Sequence, residues 1–163
     1  TQFSMPNLAT ELRQVLERHG LKPRHLEVEI TEAALAQNPE ETRKQLRLLR
    51  NLGVRVALDD FGSGACSLSH LRDLELDTLK IDRHLIARLP QSSRDAALVS
   101  NVIDLCRQYG ILVIAEGVET VAQYEWLQAH GCEYVQGFLV ARPMVAEDVG
   151  EFVLPFDWNT LAS

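Results

Sequence analysis

Val54-Arg55-Val56-Ala57-Leu58-Asp59-Asp60, preceded by Gly53, decides the fold. A β-branched apolar run ending abruptly on two carboxylates is a strand with a polar tip, and the glycine before it accepts the left-handed conformation that stops a helix. The unit recurs. Glu29 follows Leu26-Glu27-Val28, Lys80 follows Thr78-Leu79, Glu116 follows Leu112-Val113-Ile114-Ala115 and Gln136 follows Tyr134-Val135, while Gly20, Gly110 and Gly131 precede three of these strands as Gly53 precedes its own. Helix, glycine, strand and polar tip, repeated, specify an α/β fold with a parallel sheet. Where parallel strands close into a barrel, the working groups sit at the strand ends because the interior is packed. The tips therefore mark a catalytic or metal-binding rim.

Composition narrows the function. At 163 residues, 46% hydrophobic and 24% charged, the chain has the make-up of one ordinary globular domain. A net charge of −7 argues against a nucleic-acid polymer or an anionic membrane surface as partner. Cys66, Cys106 and Cys132 are odd in number and lack C-x-x-C spacing, which suits a reducing cytoplasm rather than a disulfide framework or a structural zinc site. Apolar runs are of strand length, far short of the roughly 20 residues that span a bilayer. His19, His25, His70, His84 and His130 show no metal-ligand spacing, and Cys66 has no basic neighbour to activate it.

The helices follow from start and stop signals. Ser4-Met5-Pro6-Asn7 opens the first, whose Leu8, Leu12, Val15 and Leu16 recur at helical spacing. Asn38-Pro39-Glu40-Glu41 combines an N-cap, a first-turn proline and acids at the positive dipole end, predicting a helix to about Leu52. Further helices are expected near Leu68 to Leu71, from about Asp95 to Gln108, from Glu119 to Ala129 and from Ala146 to Val153, with Leu154-Pro155-Phe156-Asp157-Trp158 as a C-terminal end. Leu112 to Ala115 predicts a strand buried on both faces. In the first strand, Glu29 falls on the face opposite the aliphatic residues, toward a barrel interior.

Five motifs, Glu29-Ile30-Thr31-Glu32, Asp59-Asp60-Phe61-Gly62-Ser63-Gly64, Lys80-Ile81-Asp82-Arg83, Ala115-Glu116-Gly117-Val118-Glu119 and Gln136-Gly137-Phe138, together resemble those of the EAL-type cyclic di-GMP phosphodiesterases, in order and in spacing. The resemblance implies an incomplete (β/α)8 TIM-like barrel with about five βα units of eight, residues 1–163 being the C-terminal portion of one such domain. It implies hydrolysis of cyclic di-GMP to linear pGpG with two Mg²⁺ or Mn²⁺ ions, in a bacterial signalling protein. Carboxylates at the mouth of a negative domain would repel a dianionic substrate unless divalent ions reversed the field, and such hard ions prefer oxygen ligands. On this reading Glu29, Asp59 and Asp60 bind metal and Glu116 is a further ligand or orients water. Lys80 positions the water or offsets charge, and Gln136 completes the far side. Glu32 and Glu119 support the site, Glu32 by anchoring the loop after the aspartates. Asp82 is either a helix N-cap or a supporting group, and Phe138 and Pro143 either border a guanine pocket or pack.

Alternatives accompany each motif. Alone, Asp59-Asp60 suits a turn start, Lys80 a solvated strand end and Glu116 a helix cap. The strand bearing the name-giving Glu-Ala-Leu and an asparagine expected upstream of Thr1 are absent from the sequence, so the fragment alone is expected to be inactive. A degenerate domain that binds cyclic di-GMP or a protein without cleaving it is a second reading. A receiver-like phosphoacceptor is a third, disfavoured because its acidic pair follows the first strand and its lysine the last. Ala65-Cys66 replaces an aromatic and a serine of the family loop, a change bearing on loop order or on a homodimer formed through that loop. Five strands without closure leave sheet edges unpaired. The isolated segment is therefore predicted to unfold broadly or to self-associate in dilute solution; a monomer with a sharp two-state thermal transition in sedimentation and melting experiments would contradict this.

Overall fold

The computed structural model describes residues 8–64 and 74–152 of the chain. In order they form helix α1 (Leu8–Arg18), a 3₁₀ turn (Pro23–His25), strand β1 (Glu27–Thr31), helices α2 (Glu32–Gln37) and α3 (Pro39–Leu52), and strands β2 (Arg55–Phe61) and β3 (Thr78–Ile81). Helices α4 (Arg83–Ile86) and α5 (Ser93–Tyr109), strand β4 (Leu112–Glu116), helix α6 (Val121–Ala129), strand β5 (Tyr134–Gln136) and helix α7 (Ala146–Phe152) follow. The strands make one five-stranded sheet in the order β1-β2-β3-β4-β5, every neighbouring pair parallel. The architecture is α/β, five strands of a barrel-type sheet with helices between them.

Register explains which face does what. Glu29 pairs with Ala57, Thr31 with Asp59, Thr78 with Leu112, Lys80 with Ile114 and Glu116 with Gln136. Alternation therefore puts Glu29, Asp59, Lys80, Glu116 and Gln136 on one face and Ile30, Val56, Leu58, Leu79, Ile81, Val113 and Ala115 on the other. The second set is buried and merges with Leu46, Ile86, Val99, Val102, Ile103 and Leu127 of the helices into one apolar cluster. Burying each such aliphatic side chain stabilises the fold by about 1.5–3 kcal/mol. A smaller cluster of Leu16, Leu49 and Val54 seats α1 and α3 beside it.

Helix α5 illustrates the local rule. Asp95, Val99, Val102, Ile103 and Cys106 form its buried stripe at helical spacing, Ser92 caps its start and Gly110 at φ 70° ends it. Gly53 closes α3 at φ 91°, donating its N–H to Arg50 and Leu49 carbonyls. Burial raises the Cys106 thiol to about 12 and the Cys132 thiol to about 11, leaving neither as a thiolate nucleophile. At the N-terminal end of the sheet, Glu27 accepts from Thr78 at 2.7 Å and pairs with Arg55 at 3.3 Å. Nearby, Asp77 accepts from Arg50 and from the Val56 N–H, each at 2.8 Å.

Several expectations change. Leu112 and Ile114 are only half-buried while Val113 and Ala115 are buried, so β4 is dry on one face and not both; its other face belongs to the polar side of the sheet. Asn38 occupies the N-cap position of α3 without a capping hydrogen bond, because its backbone (φ −146°, ψ 73°) is also closing α2. Helix α2 was not anticipated, nor was α4, each being too short for a periodic signal. Helix α6 starts at Val121, with Thr120 and not Glu119 at its cap. The Ser4 to Asn7 helix start, the helix near Leu68 to Leu71, Cys66, His70 and the Leu154 to Trp158 end lie outside the described residues. Leu79 is fully buried at the centre of the sheet. Leu79→Ala in the full-length protein should cost about 2–5 kcal/mol in urea unfolding.

Candidate metal centre

Strand alternation would normally send adjacent aspartates to opposite faces. On β2, Leu58 pairs with Leu79 but Phe61 with Ile81, so three steps on one strand match two on the next. The extra residue makes a bulge in which Asp60 takes a left-handed conformation, φ 56°. The strand is re-aimed within its own length, which runs on to Phe61. The consequence is chemical: Asp59, Asp60 and Glu116 each present a carboxylate oxygen within 4.8 Å of the others. That spacing accommodates a metal ion with hard oxygen ligands.

Lys80 organises the remaining acids. Its Nζ lies 2.7 Å from Glu116 Oε1, 3.0 Å from Glu29 Oε1 and 3.4 Å from Asp59 Oδ1, and its side chain is 11% exposed. The solvated strand end considered for Lys80 is thus ruled out. Burial alone would lower the lysine pKa, but hydrogen bonds to Glu116 and Glu29 and the charges of Glu116 and Asp59 outweigh it and hold the ammonium above its ordinary value. Asp60 moves up from the usual carboxylate range, first through burial, then through the charges of Asp59 and Asp82, with Lys80 opposing. The contact of Lys80 with Asp59 is Coulombic without hydrogen-bond geometry. Asp59 Oδ1 is buried and has no hydrogen-bond partner. A buried carboxylate oxygen with no hydrogen bond, facing only the Lys80 charge 3.4 Å away amid other carboxylates, suits a cation, so the donor set fits a divalent ion.

Glu32, 1% exposed, accepts from Gly62 N at 3.2 Å, Ser63 Oγ at 3.2 Å and Gly64 N at 3.3 Å, and so holds the start of the loop after the aspartates. Asp82 caps α4, accepting from the His84 N–H at 2.7 Å with His84 Nδ1 also 2.7 Å away, and its charge reaches Asp60. It is both the N-cap and a neighbour of the site. Glu119 is exposed and contributes its backbone N–H to Gln123. Gln136 stands beside Glu116 in the register with its side chain exposed; its carbonyl accepts from Val118 N at 3.1 Å. Phe138 is 52% exposed, with the Arg142 guanidinium 4.6 Å above its ring. Sequence reasoning passed over Gln123, although Thr120-x-x-Gln123 is a recognisable capping box.

Parallel strands with converging acids at their C-terminal ends define a barrel-type domain with a metal-competent mouth. The EAL domain family matches residues 1–143, and the chain belongs to that family. It is similar to the cyclic di-GMP phosphodiesterase NbdA of Pseudomonas aeruginosa, 43% identical over 153 residues that make up 94% of this chain and 20% of NbdA. The chain thus spans about a fifth of the length of that curated relative. It superposes on the PaMucR phosphodiesterase in complex with c-di-GMP with a TM-score of 0.84 at 42% identity, covering 91% of this chain and 60% of that one. A manganese/cy-diGMP complex of Klebsiella pneumoniae BlrP1 is similar at a TM-score of 0.82 and 37% identity over 87% of this chain and 36% of that one. Among the described residues no helix is long and apolar enough to cross a membrane.

Glu32→Gln replaces a triple acceptor by a group with one acceptor and an NH₂ facing N–H donors. It should lower stability by about 1–3 kcal/mol and speed amide exchange at Gly62 and Gly64, measured by hydrogen-exchange NMR or mass spectrometry.

Proposed function

We propose that the protein carrying this chain is a cyclic di-GMP phosphodiesterase that opens one phosphodiester to give linear pGpG, with residues 1–163 forming the C-terminal portion of one EAL-type barrel. The observation that carries the reading is the bulge at Asp60, which gathers Asp59, Asp60 and Glu116 within 4.8 Å around a buried carboxylate oxygen that has no hydrogen-bond partner. The relatives named for cyclic di-GMP hydrolysis and the complexes holding that ligand support the choice of substrate.

Glu29, Asp59, Asp60 and Glu116 would hold two Mg²⁺ or Mn²⁺ ions. When bound, such ions supply Lewis acidity toward the phosphate and lower the pKa of water. The chain's own groups do the rest. Glu116 Oε1 and Glu29 Oε1 fix the Lys80 ammonium in a protonated state at the face where the phosphate arrives. From there it offsets negative charge growing on the phosphoryl oxygens. Glu116, held by Lys80 through Oε1, would use its other oxygen to orient an attacking water. Asp82, fixed at the α4 cap, adds negative charge beside Asp60 and so to the pull on a cation, and Glu32 keeps the loop after the aspartates at the rim. Glu119 supports the turn after Glu116, and Gln136 would bond substrate from the far side. The reaction is placed in the cytoplasm, where cysteines stay reduced and no membrane contact by this segment is needed. A homodimer through the loop after Asp60 belongs to the same reading.

The test uses the full-length protein with cyclic di-GMP and Mg²⁺ or Mn²⁺, following pGpG by chromatography. Asp59→Asn and Glu116→Gln should each reduce turnover at least as much as losing an outer partner of a metal ligand, roughly 10- to 100-fold, and chelation should abolish it. Cleavage that survives both substitutions removes the site assignment; tight binding without product identifies a receptor.

A further inference from the structure

Glu116 ends β4, and the four residues that follow are gripped from three sides. Gly117, φ 69°, lies so close to α4 that a Cβ there would come within 2.5 Å of Arg83 Cβ. Val118 donates its N–H to Gln136 and accepts from Leu139 N at 3.0 Å, and it packs against Gly137 so tightly that a side chain at Gly137 would meet the Val118 backbone. The third grip is a side chain. Gln123, 6% exposed, uses Oε1 to accept from Glu119 N at 2.9 Å and Thr120 N at 3.0 Å, while its Nε2 donates to the Ile86 carbonyl at 3.2 Å.

A helix cap needs only the Thr120 hydroxyl on Gln123 N and the Gln123 amide on Thr120 N. Gln123 does more. One amide joins the turn behind Glu116 to the end of α4, whose beginning is capped by Asp82 beside Asp60. We infer that Gln123 is a positioning residue: by tying residues 119–120 to α4 it sets where the Glu116 carboxylate stands relative to Lys80 and Asp59. The inference rests on the reading of Glu116 as a working carboxylate. Its physical basis is that a ligand group displaced by a fraction of an ångström loses much of its effect, whereas a helix start tolerates such a shift.

The experiment compares Gln123→Met, which keeps the volume and removes all three side-chain hydrogen bonds, Gln123→Glu, which keeps an oxygen to accept from the Glu119 and Thr120 N–H groups but loses the donor to the Ile86 carbonyl, and Thr120→Ala, which removes only the cap hydroxyl. Each is measured in the full-length protein for kcat and KM on cyclic di-GMP, for Mn²⁺ affinity by calorimetric titration without substrate, and for melting temperature. Q123M and Q123E, which both cut the tie to α4, should each lower kcat and Mn²⁺ affinity on the order of 10-fold with KM changed less than about 2-fold. T120A should lower the melting temperature and leave kcat and Mn²⁺ affinity alone. Adding Q123M to Glu116→Gln should cost less than about 2-fold more in kcat, because the two act through one group. Unchanged kcat and Mn²⁺ affinity in a folded Q123M, or losses that multiply in the double variant, overturn the inference. Should Q123M fail to fold, Q123E decides, and kcat and Mn²⁺ affinity unchanged there overturn it as well. If E116Q keeps full turnover, the assignment of Glu116 fails and this inference with it. If E116Q is impaired and Q123M is not, this inference alone fails.

Discussion

Among the described residues a single ammonium, that of Lys80, faces several carboxylates at the mouth of this sheet, and the site depends on that imbalance. Lys80 touches Glu29, Asp59 and Glu116 at 3.4 Å or less, yet it satisfies only part of their charge and leaves Asp59 Oδ1 without a hydrogen bond. Acids so crowded repel one another, and Asp60, through its burial first and neighbouring charges second, holds its proton more firmly than an ordinary aspartate. A folded chain keeps such a group together only if the scaffold outweighs the repulsion. Here the scaffold is a parallel register that fixes five strand tips, with a dry aliphatic layer on the reverse face.

Two kinds of rigidity meet at the centre. The acids of β1, β2 and β4 inherit their positions from ladder hydrogen bonds and are as fixed as the sheet. Asp60 does not: it owes its direction to one inserted residue and a left-handed backbone. Around it the loops are secured by side chains reaching into backbone, Glu32 onto residues 62–64 and Gln123 onto residues 119–120. Both anchors are nearly inaccessible to solvent, where a polar group holds its partner firmly because the alternative is an unsatisfied buried donor.

Strands, polar tips and the glycines behind them were legible because each is a local signal: apolar runs, a breaker, an ionisable end. The strand Thr78 to Ile81 and the long helix around residues 95–108 emerge close to their observed limits for this reason. The bulge was not legible, since it exists only in the pairing of Leu58 with Leu79 and Phe61 with Ile81. Nor was the half-buried state of Leu112 and Ile114, because an unbroken apolar run does not reveal that one of its faces lines a polar surface. Short helices such as α4 were lost because one turn carries no periodicity, although Asp82 as its cap was one of the two roles foreseen for that residue.

At the opposite end of the strands from the acids, the pairs Glu27 with Thr78 and Arg55, and Asp77 with Arg50 and the Val56 amide, stitch β1, β2 and β3 together. Robustness and chemistry are therefore assigned to separate poles of the same ribbons. A laboratory or natural lineage can tune heat tolerance at the lower pole by exchanging those charges while the upper pole keeps its composition, so closely related chains can diverge widely in durability and still share one reaction.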